Sequence, residues 1–280
     1  MVVRKVLLVT AMLSAALGMS DAKAKAQDQQ SGLYSGFSYP NGKPNAISLS
    51  FDDGRHSQVD VGMAILDKYQ VKATFYAQPE PIAERLAQWQ AAINNGHELG
   101  NHTSHHLCSG NFEWLRKKGL SLEQTTLAWL ENDIKEANHY FKKHLGVTPR
   151  AFAYPCGHTF VGRGKDTQSY VPLVATLFDT GRTWNGETAN NPNFTDFAQL
   201  TGIRIDGLRF AQIKELLKRY RENNSWIILA GHDIGQRGPY TVDTQALEQL
   251  LAYINDPNNG FWVGTVSEVA DYVRSNRTAP

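Results

Sequence analysis

The sequence predicts an α/β fold with a parallel sheet closed into a barrel. Two observations predict it. Short apolar runs alternate with helical stripes along most of the chain, the pattern of repeated strand–helix units. Reactive side chains fall just past the C-terminal ends of the predicted strands, and in a parallel barrel those ends converge on one face. An open dinucleotide-binding sheet is disfavoured, because no G-x-G-x-x-G turn follows a strand; Gly162-Arg163-Gly164-Lys165 is only a glycine-rich turn.

The elements follow in order. Ala46 to Phe51 is an apolar run ending in Asp52-Asp53-Gly54, a buried strand and a loop. Val61, Ala64, Ile65 and Tyr69 recur at helical spacing, and Lys72 to Ala77 is strand-like. Ile82, Leu86, Trp89 and Ile93 line one helical face. Ser121-Leu122-Glu123-Gln124 has the form of a capping box, opening a long helix with the stripe Leu127, Leu130, Ile134, Ala137, Phe141 and Leu145. Gly146 and Pro149 stop that helix. Ala151 to Tyr154 is a short strand, Phe210 to Tyr220 a helix, Trp226 to Ala230 a strand and Thr244 to Asn255 a helix. Phe261 to Val263 and Thr265 to Val273 close the chain as strand and helix.

Composition is ordinary for a globular protein: 280 residues, 41% hydrophobic and 20% charged. A formal net charge of +1, with no basic run interleaved with aromatics, gives no pull towards nucleic acid. The first 26 residues read as a signal peptide: basic Arg4 and Lys5, an apolar or small stretch from Val6 to Met19, and an A-x-A site at Ala24-Lys25-Ala26. Residues 27–43 read as a linker or entry segment, and 44–280 as a single catalytic domain. No second long apolar run follows, so no transmembrane segment is expected after signal removal, and the expected location is secreted or periplasmic.

Two stretches carry the chemistry. Asp52-Asp53 supplies adjacent carboxylates, and His102-Thr103-Ser104-His105-His106 supplies closely spaced imidazoles. On a helix, His102 and His106 would share one face and reach one ion, with His105 about 100° away. Two imidazoles and the harder Asp53 oxygen suit zinc, with cobalt, nickel or manganese as alternatives. Three protein ligands leave positions open, as in a catalytic rather than a structural site. That frees Asp52 as a proton acceptor and makes His232 the candidate acid.

Ser50-Phe51-Asp52-Asp53-Gly54, His102-Thr103-x-x-His106, Phe152-Ala153-Tyr154-Pro155-x-Gly157 and Ile228-Leu229-x-x-His232-Asp233 resemble the polysaccharide deacetylases, the NodB-homology domain of carbohydrate esterase family four. Gly96 to His102 and Trp262 to Val266 are similar to that family as well. The resemblance implies a single distorted (β/α) barrel of the NodB-homology type and metal-dependent removal of acetyl groups from a carbohydrate. It implies Asp52 as base, Asp53, His102 and His106 as metal ligands, and His232 as acid. It places Tyr154 and Pro155 along the substrate groove, with a backbone N–H just beyond them for the oxyanion; Arg182, Trp184 and Leu229 are read, from their positions in this chain, as further substrate-side residues. The favoured substrate is an N-acetylated GlcNAc-type glycan. The alternatives are an O-acetyl esterase on glycans such as xylan, and a silent carbohydrate-binding module of the same fold.

The chain departs from the family pattern in three places. Ala153 stands where many members carry an arginine that orients the base aspartate; Arg182, read as part of a later loop, is the candidate replacement. The aspartate–tryptophan motif is blurred at Asp179 to Trp184, which leaves His232 without a named carboxylate partner. Leu229 precedes His232 by three residues rather than two, so either Leu229 or Ala230 would meet the acetyl methyl. Cys108 and Cys156 flank matched motifs and are expected to form a disulfide, with free thiols or a closed zinc site shared with His102 and His106 as alternatives. Trp114 and Trp184 fall in predicted loops and are candidate substrate contacts.

Overall fold

The structure is a computed structural model, and it describes residues 36–221 and 224–277. The signal-peptide reading of residues 1–26 and the first part of the expected linker lie outside the described residues. The rest of that segment joins the fold: Tyr39 pairs with Lys43, and Phe37 and Tyr39 are buried against Trp262 and Tyr272.

The described residues form twelve strands. In chain order they are β1 (Asn45–Asp53), β2 (Thr74–Ala77), β3 (Glu98–Asn101), β4 (Ala151–Ala153), β5 (Phe160–Val161), β6 (Gln168–Ser169), β7 (Thr180–Arg182), β8 (Ile203–Arg204), β9 (Trp226–Gly231), β10 (Asp233–Gly235), β11 (Thr241–Asp243) and β12 (Phe261–Val263). Eight of them build one curled parallel sheet in the order β7-β4-β3-β2-β1-β9-β8, with β12 also on β1. The long β1 carries two partners along one edge: β12 pairs with Asn45 to Ile47, and β2 pairs with Ser50 to Asp53. A parallel bridge from Arg182 to Leu200 leads from the β7 edge towards β8, so the sheet is bent round on itself. This is the expected α/β barrel architecture.

Strand alternation divides the side chains of β1 between two environments. Ile47, Leu49 and Phe51 face the covering helices, in a core that includes Leu66, Trp89, Leu247 and Leu250. On the inner face, Ala46 packs with Trp226, Ile228 and the closing helix Val266–Asn276. Further along that face come Ser48, Ser50 and Asp52, all buried and polar. Apolar filling at one end and polar filling at the other define where chemistry can occur.

Three local expectations are corrected. Ser121 to Gln124 does not open the long helix: Leu122–Gln124 is a separate 3-10 turn, and Leu127–Leu145 begins after Thr126, whose hydroxyl accepts from the Trp129 N–H at 3.2 Å. Leu122 is buried, and its backbone is bonded to Cys108 and Gly162, which diverts the chain before the helix starts. The Ile82–Ile93 stripe spans two helices, Pro79–Glu84 and Leu86–Asn94, broken at Arg85, whose guanidinium reaches Asp60. The third correction concerns the histidine segment, which is a loop.

Candidate active site

β1 delivers both aspartates to the mouth of the curled sheet. Asp53 has φ 74° and Gly54 φ 66°, so the strand alternation ends there in a tight turn. A Cβ on Gly54 would lie 2.8 Å from that of Ala77, so the approach itself requires glycine.

His102 follows β3 directly, with its N–H bonded to the Ala77 carbonyl. His106 is brought back to it by a non-helical loop. Thr103 and His106 have φ of 63° and 50°; the Asn101 side chain accepts from the Thr103 N–H at 2.6 Å, and the Thr103 hydroxyl accepts from the His106 N–H at 2.9 Å. The two rings converge as expected (centroids 4.8 Å apart), but side-chain-capped turns bring them together rather than a helical face. His105 turns away to Asp133, 2.5 Å from Nδ1 to Oδ1, and its ring is half exposed. A disulfide joins Cys108 to Cys156, so the histidine loop is tied to the Tyr154-Pro155 turn.

The Nε2 atoms of His102 and His106 lie 3.5 and 3.4 Å from Asp53 Oδ1. That oxygen is buried and accepts no hydrogen bond. A buried carboxylate oxygen without a partner is costly, and together with the two imidazole nitrogens beside it, it makes a group of three donors that could hold a divalent metal ion. The His102 Nδ1–H donates to the Ala153 carbonyl at 2.9 Å, which fixes the tautomer with its lone pair on Nε2. Burial, then the neighbouring His102, lower the His106 pKa to about 4, so its ring is neutral and able to ligate. Burial alone would raise the Asp53 carboxyl; the neighbouring His102, then His106 and His232, bring it below the usual carboxylate range. The donor set fits a metal.

Asp52 sits on the inner face beside this cluster and pairs with Arg182. Arg182 lies on strand β7, not in a loop, and it is the register partner of Ala153. The arginine missing at Ala153 is therefore supplied at the same height from the neighbouring strand. Arg182 is 1% exposed, with its guanidinium 4.9 Å from the Tyr76 ring and 5.8 Å from that of Trp184. It contacts Asp52 rather than solvent, so its place among the substrate-side residues is corrected to one behind the base. The Tyr76 ring fits there because β3 carries Gly100, where a Cβ would fall 2.4 Å from that ring.

His232 follows β9 on the far side of Asp52. Its Nδ1 is 2.6 Å from Asp206 Oδ2, and its N–H donates to Asp206 Oδ1 at 2.9 Å. Burial would lower its pKa, but Asp206, then Asp52 and Asp53, raise it. Asp206 is the partner that the sequence left unnamed; Asp179 instead pairs with Arg150. A signal for it existed in Ile203-Arg204-Ile205-Asp206-Gly207, an alternating run ending in Asp-Gly as β1 does. Gln58 also went unnoticed. Fully buried, it donates to the Asp52 carbonyl at 2.6 Å and the His232 carbonyl at 3.0 Å, joining the backbones of both.

The remaining substrate-side residues divide. Trp184 packs edge-on against His232 with centroids 4.8 Å apart, and Tyr240 lies 5.7 Å from the same ring and is exposed. Trp114 is exposed, 6.2 Å from His106, and stands on a short helix, Glu113–Lys118, rather than in a loop. A cavity of about 370 Å³ opens there beside Asp53, Arg55, His106 and Trp114. Tyr154 and Leu229 do not reach the site. Tyr154 is buried, with its hydroxyl donating to the Ala198 carbonyl at 2.8 Å. Leu229 pairs in register with Leu49 and joins the helix-side core, whereas Ala230 is level with Ser50 on the inner face. Pro155 is buried at the start of the turn that carries Cys156.

The fold and site together define an α/β barrel protein with a carboxylate–imidazole cluster at the strand C-termini. Residues 39–171 match the family model described as polysaccharide deacetylase. That span, just under half of the chain, is similar to the polysaccharide deacetylases. The matched span holds Asp52, Asp53, His102 and His106; Arg182, Asp206 and His232 lie beyond it. The chain is similar to the peptidoglycan-N-acetylglucosamine deacetylase of Bacillus cereus, 28% identical over 113 residues (40% of this chain, 46% of that protein). It is similar to chitin deacetylase 1 of Cryptococcus neoformans var. grubii, 24% identical over 209 residues (74% of this chain, 41% of that protein). It thus spans less than half the length of these curated relatives. A solved structure described as a putative polysaccharide deacetylase from Mycobacterium smegmatis shares the fold, with TM-score 0.59 and 16% identity over 87% of this chain and 95% of that one.

Proposed function

We propose that this protein is an exported, metal-dependent carbohydrate deacetylase acting on N-acetyl groups of a GlcNAc-type glycan. One observation carries the reading. The unpartnered Asp53 Oδ1 lies between two imidazole nitrogens, with an arginine-held Asp52 and an aspartate-held His232 on the same sheet mouth. The peptidoglycan and chitin deacetylases among the relatives support N-acetyl over O-acetyl substrates.

Asp53, His102 and His106 would hold the metal, with zinc first and cobalt, nickel or manganese as alternatives. When bound, such an ion polarises the acetyl carbonyl and acidifies water. Asp52 takes a proton from the water whose oxygen bonds to the acetyl carbon. Arg182 and Gln58 hold that carboxylate in place, one at the side chain and one at the backbone. Within the Tyr154 turn, Gly157 and His158 donate their N–H groups to Tyr154 and Pro155; the Cys156 N–H is assigned to the oxyanion. His232, protonated and oriented by Asp206, donates its Nε2 proton to the departing amine as the C–N bond breaks, and acetate leaves.

Export accords with the Cys108–Cys156 disulfide, which is at home in an oxidising compartment. The test is acetate release from chitooligosaccharides, peptidoglycan and acetylated xylan, with Asp52→Asn as control. That variant should lose about 10²–10⁴-fold in rate, as removal of a general base does. Full activity in Asp52→Asn would sink the mechanism, and release from xylan alone would favour the ester reading. Mass analysis of exported protein should find a chain beginning near Gln27.

A further inference from the structure

Arg55 follows the Asp52-Asp53-Gly54 turn and takes no part in the chemistry above. Its Nε and Nη2 donate to Asp53 Oδ2 at 3.0 and 2.9 Å, and its Nη1 donates to Asp233 Oδ2 at 2.6 Å. Asp233 is itself fixed, because the Ser57 hydroxyl donates to its Oδ1 at 2.7 Å and the Ile234 N–H donates to that hydroxyl at 3.1 Å. The guanidinium thus bridges a carboxylate of the metal cluster to the residue immediately after His232. Its side chain is 35% exposed, so it lies at the rim rather than in the core.

The pattern of contacts is one-sided. Both arginine contacts on Asp53 fall on Oδ2, while Oδ1 has no hydrogen bond and faces the two imidazoles. A carboxylate can bind a metal through one oxygen or both. An oxygen that already accepts two charge-assisted N–H bonds is withheld from the second mode. Only a planar fork can hold one oxygen with two nitrogens and reach a second carboxylate with the third.

We propose that Arg55 is a positioning residue for the metal site. It holds Asp53 as a one-oxygen ligand and, through Asp233, fixes that ligand relative to the turn that carries His232. The inference rests on the reading that Asp53, His102 and His106 hold a divalent metal. Arg55 would set coordination by geometry rather than by its charge, which Asp53 and Asp233 already neutralise and water partly screens.

The test is cobalt titration of the metal-free full chain, read by visible absorption and by affinity. Arg55→Ala should bind cobalt about 10–100-fold more weakly, the usual cost of losing a partner that orients a ligand. Its spectrum should shift towards higher coordination as Asp53 becomes free to supply both oxygens. Arg55→Lys keeps the charge without the fork and should show the same spectral shift. Cobalt spectra of Arg55→Ala and Arg55→Lys identical to wild type would overturn the proposal, as would tighter binding in Arg55→Ala with an unchanged spectrum. If Arg55→Ala fails to fold, Asp233→Asn removes one anchor of the same clamp; its spectrum should lie between those of wild type and Arg55→Lys, and an unchanged one would overturn the proposal. A wild-type chain whose cobalt spectrum survives His102→Ala would remove the metal reading and this inference together, whereas a wild-type spectrum lost in His102→Ala but indifferent to residue 55 removes the inference alone.

Discussion

Two carboxylates at opposite ends of the same sheet behave differently. Glu98 begins β3; its Oε2 accepts from the Thr74 hydroxyl at 2.7 Å and the Ser267 N–H at 3.1 Å, and its Oε1 accepts from the Ser267 hydroxyl. Asp53 ends β1; one oxygen is filled by Arg55 and the other is left bare between two imidazoles. Burial dominates at Glu98 and raises its pKa despite those hydrogen bonds, whereas the surrounding histidines lower that of Asp53. A carboxylate with every acceptor filled ties strands to the closing helix. One with a buried oxygen that accepts no hydrogen bond carries a cost that folding alone does not explain.

The sharpest way to break this contrast is to delete each group. Asp53→Ala should reduce acetate release to the level of wild type treated with chelator and abolish metal uptake, while the metal-free protein melts near the wild-type temperature. Glu98→Ala should do the reverse, costing about 1–3 kcal/mol of stability through stranded donors while activity per folded molecule is unchanged. Denaturant unfolding and metal analysis of both variants decide it. Loss of activity in folded Glu98→Ala would erase the division of labour between the two ends.

A third case is a buried cation held by a buried carboxylate, Arg182 on Asp52. Arg182→Ala should cost about 3–5 kcal/mol, because Asp52 is left buried without its cation. Activity should fall within the roughly 10²–10⁴-fold range of losing a general base. Arg182→Lys should recover part of the stability and less of the rate. If the folded Ala variant released acetate at the wild-type rate, Arg182 would be a strut like Glu98.

These partners show where sequence legibility stopped. Asp52, Asp53, His102, His106 and His232 are readable because each ends or follows a strand in a recognisable string. The premise that joined His102 to His106 was a helix, yet positive-φ turns bring the rings together. Spacing constrained how far apart they could be, not the path between them. Arg182 was missed as a strand residue because β7 is three residues with no apolar signature; its role depends on a register across two strands, which no local pattern encodes. Asp206 follows a two-residue strand, and the alternating run Ile203 to Gly207 that marks it is so brief that only its likeness to the end of β1 sets it apart from a turn. Leu229 was misjudged because strand alternation, rather than distance to His232, decides which side chain faces inward.

Asp206 offers the subtlest contrast: it stands at the mouth yet has both oxygens occupied by His232, so by hydrogen bonding alone it resembles Glu98. Its function would lie in what it does to the imidazole. His232 is raised above its ordinary 6.5, chiefly by the Asp206 hydrogen bond working against burial. A group with a raised folded pKa stabilises the fold fully below its unfolded value, about 6.5, and this is lost as pH rises through the folded value. Asp206→Asn removes the favourable partner and leaves the burial, so the pKa should fall. The acid form of His232 is then lost earlier, and the basic limb of the pH–kcat/KM profile should move to lower pH. The stability deficit of Asp206→Asn should be larger at pH 5 than at pH 9, with a smaller effect on metal affinity than any change at Asp53. A basic limb that stays in place, with stability reduced equally at both pH values, would return Asp206 to the class of Glu98 and leave the proton donor to be sought elsewhere.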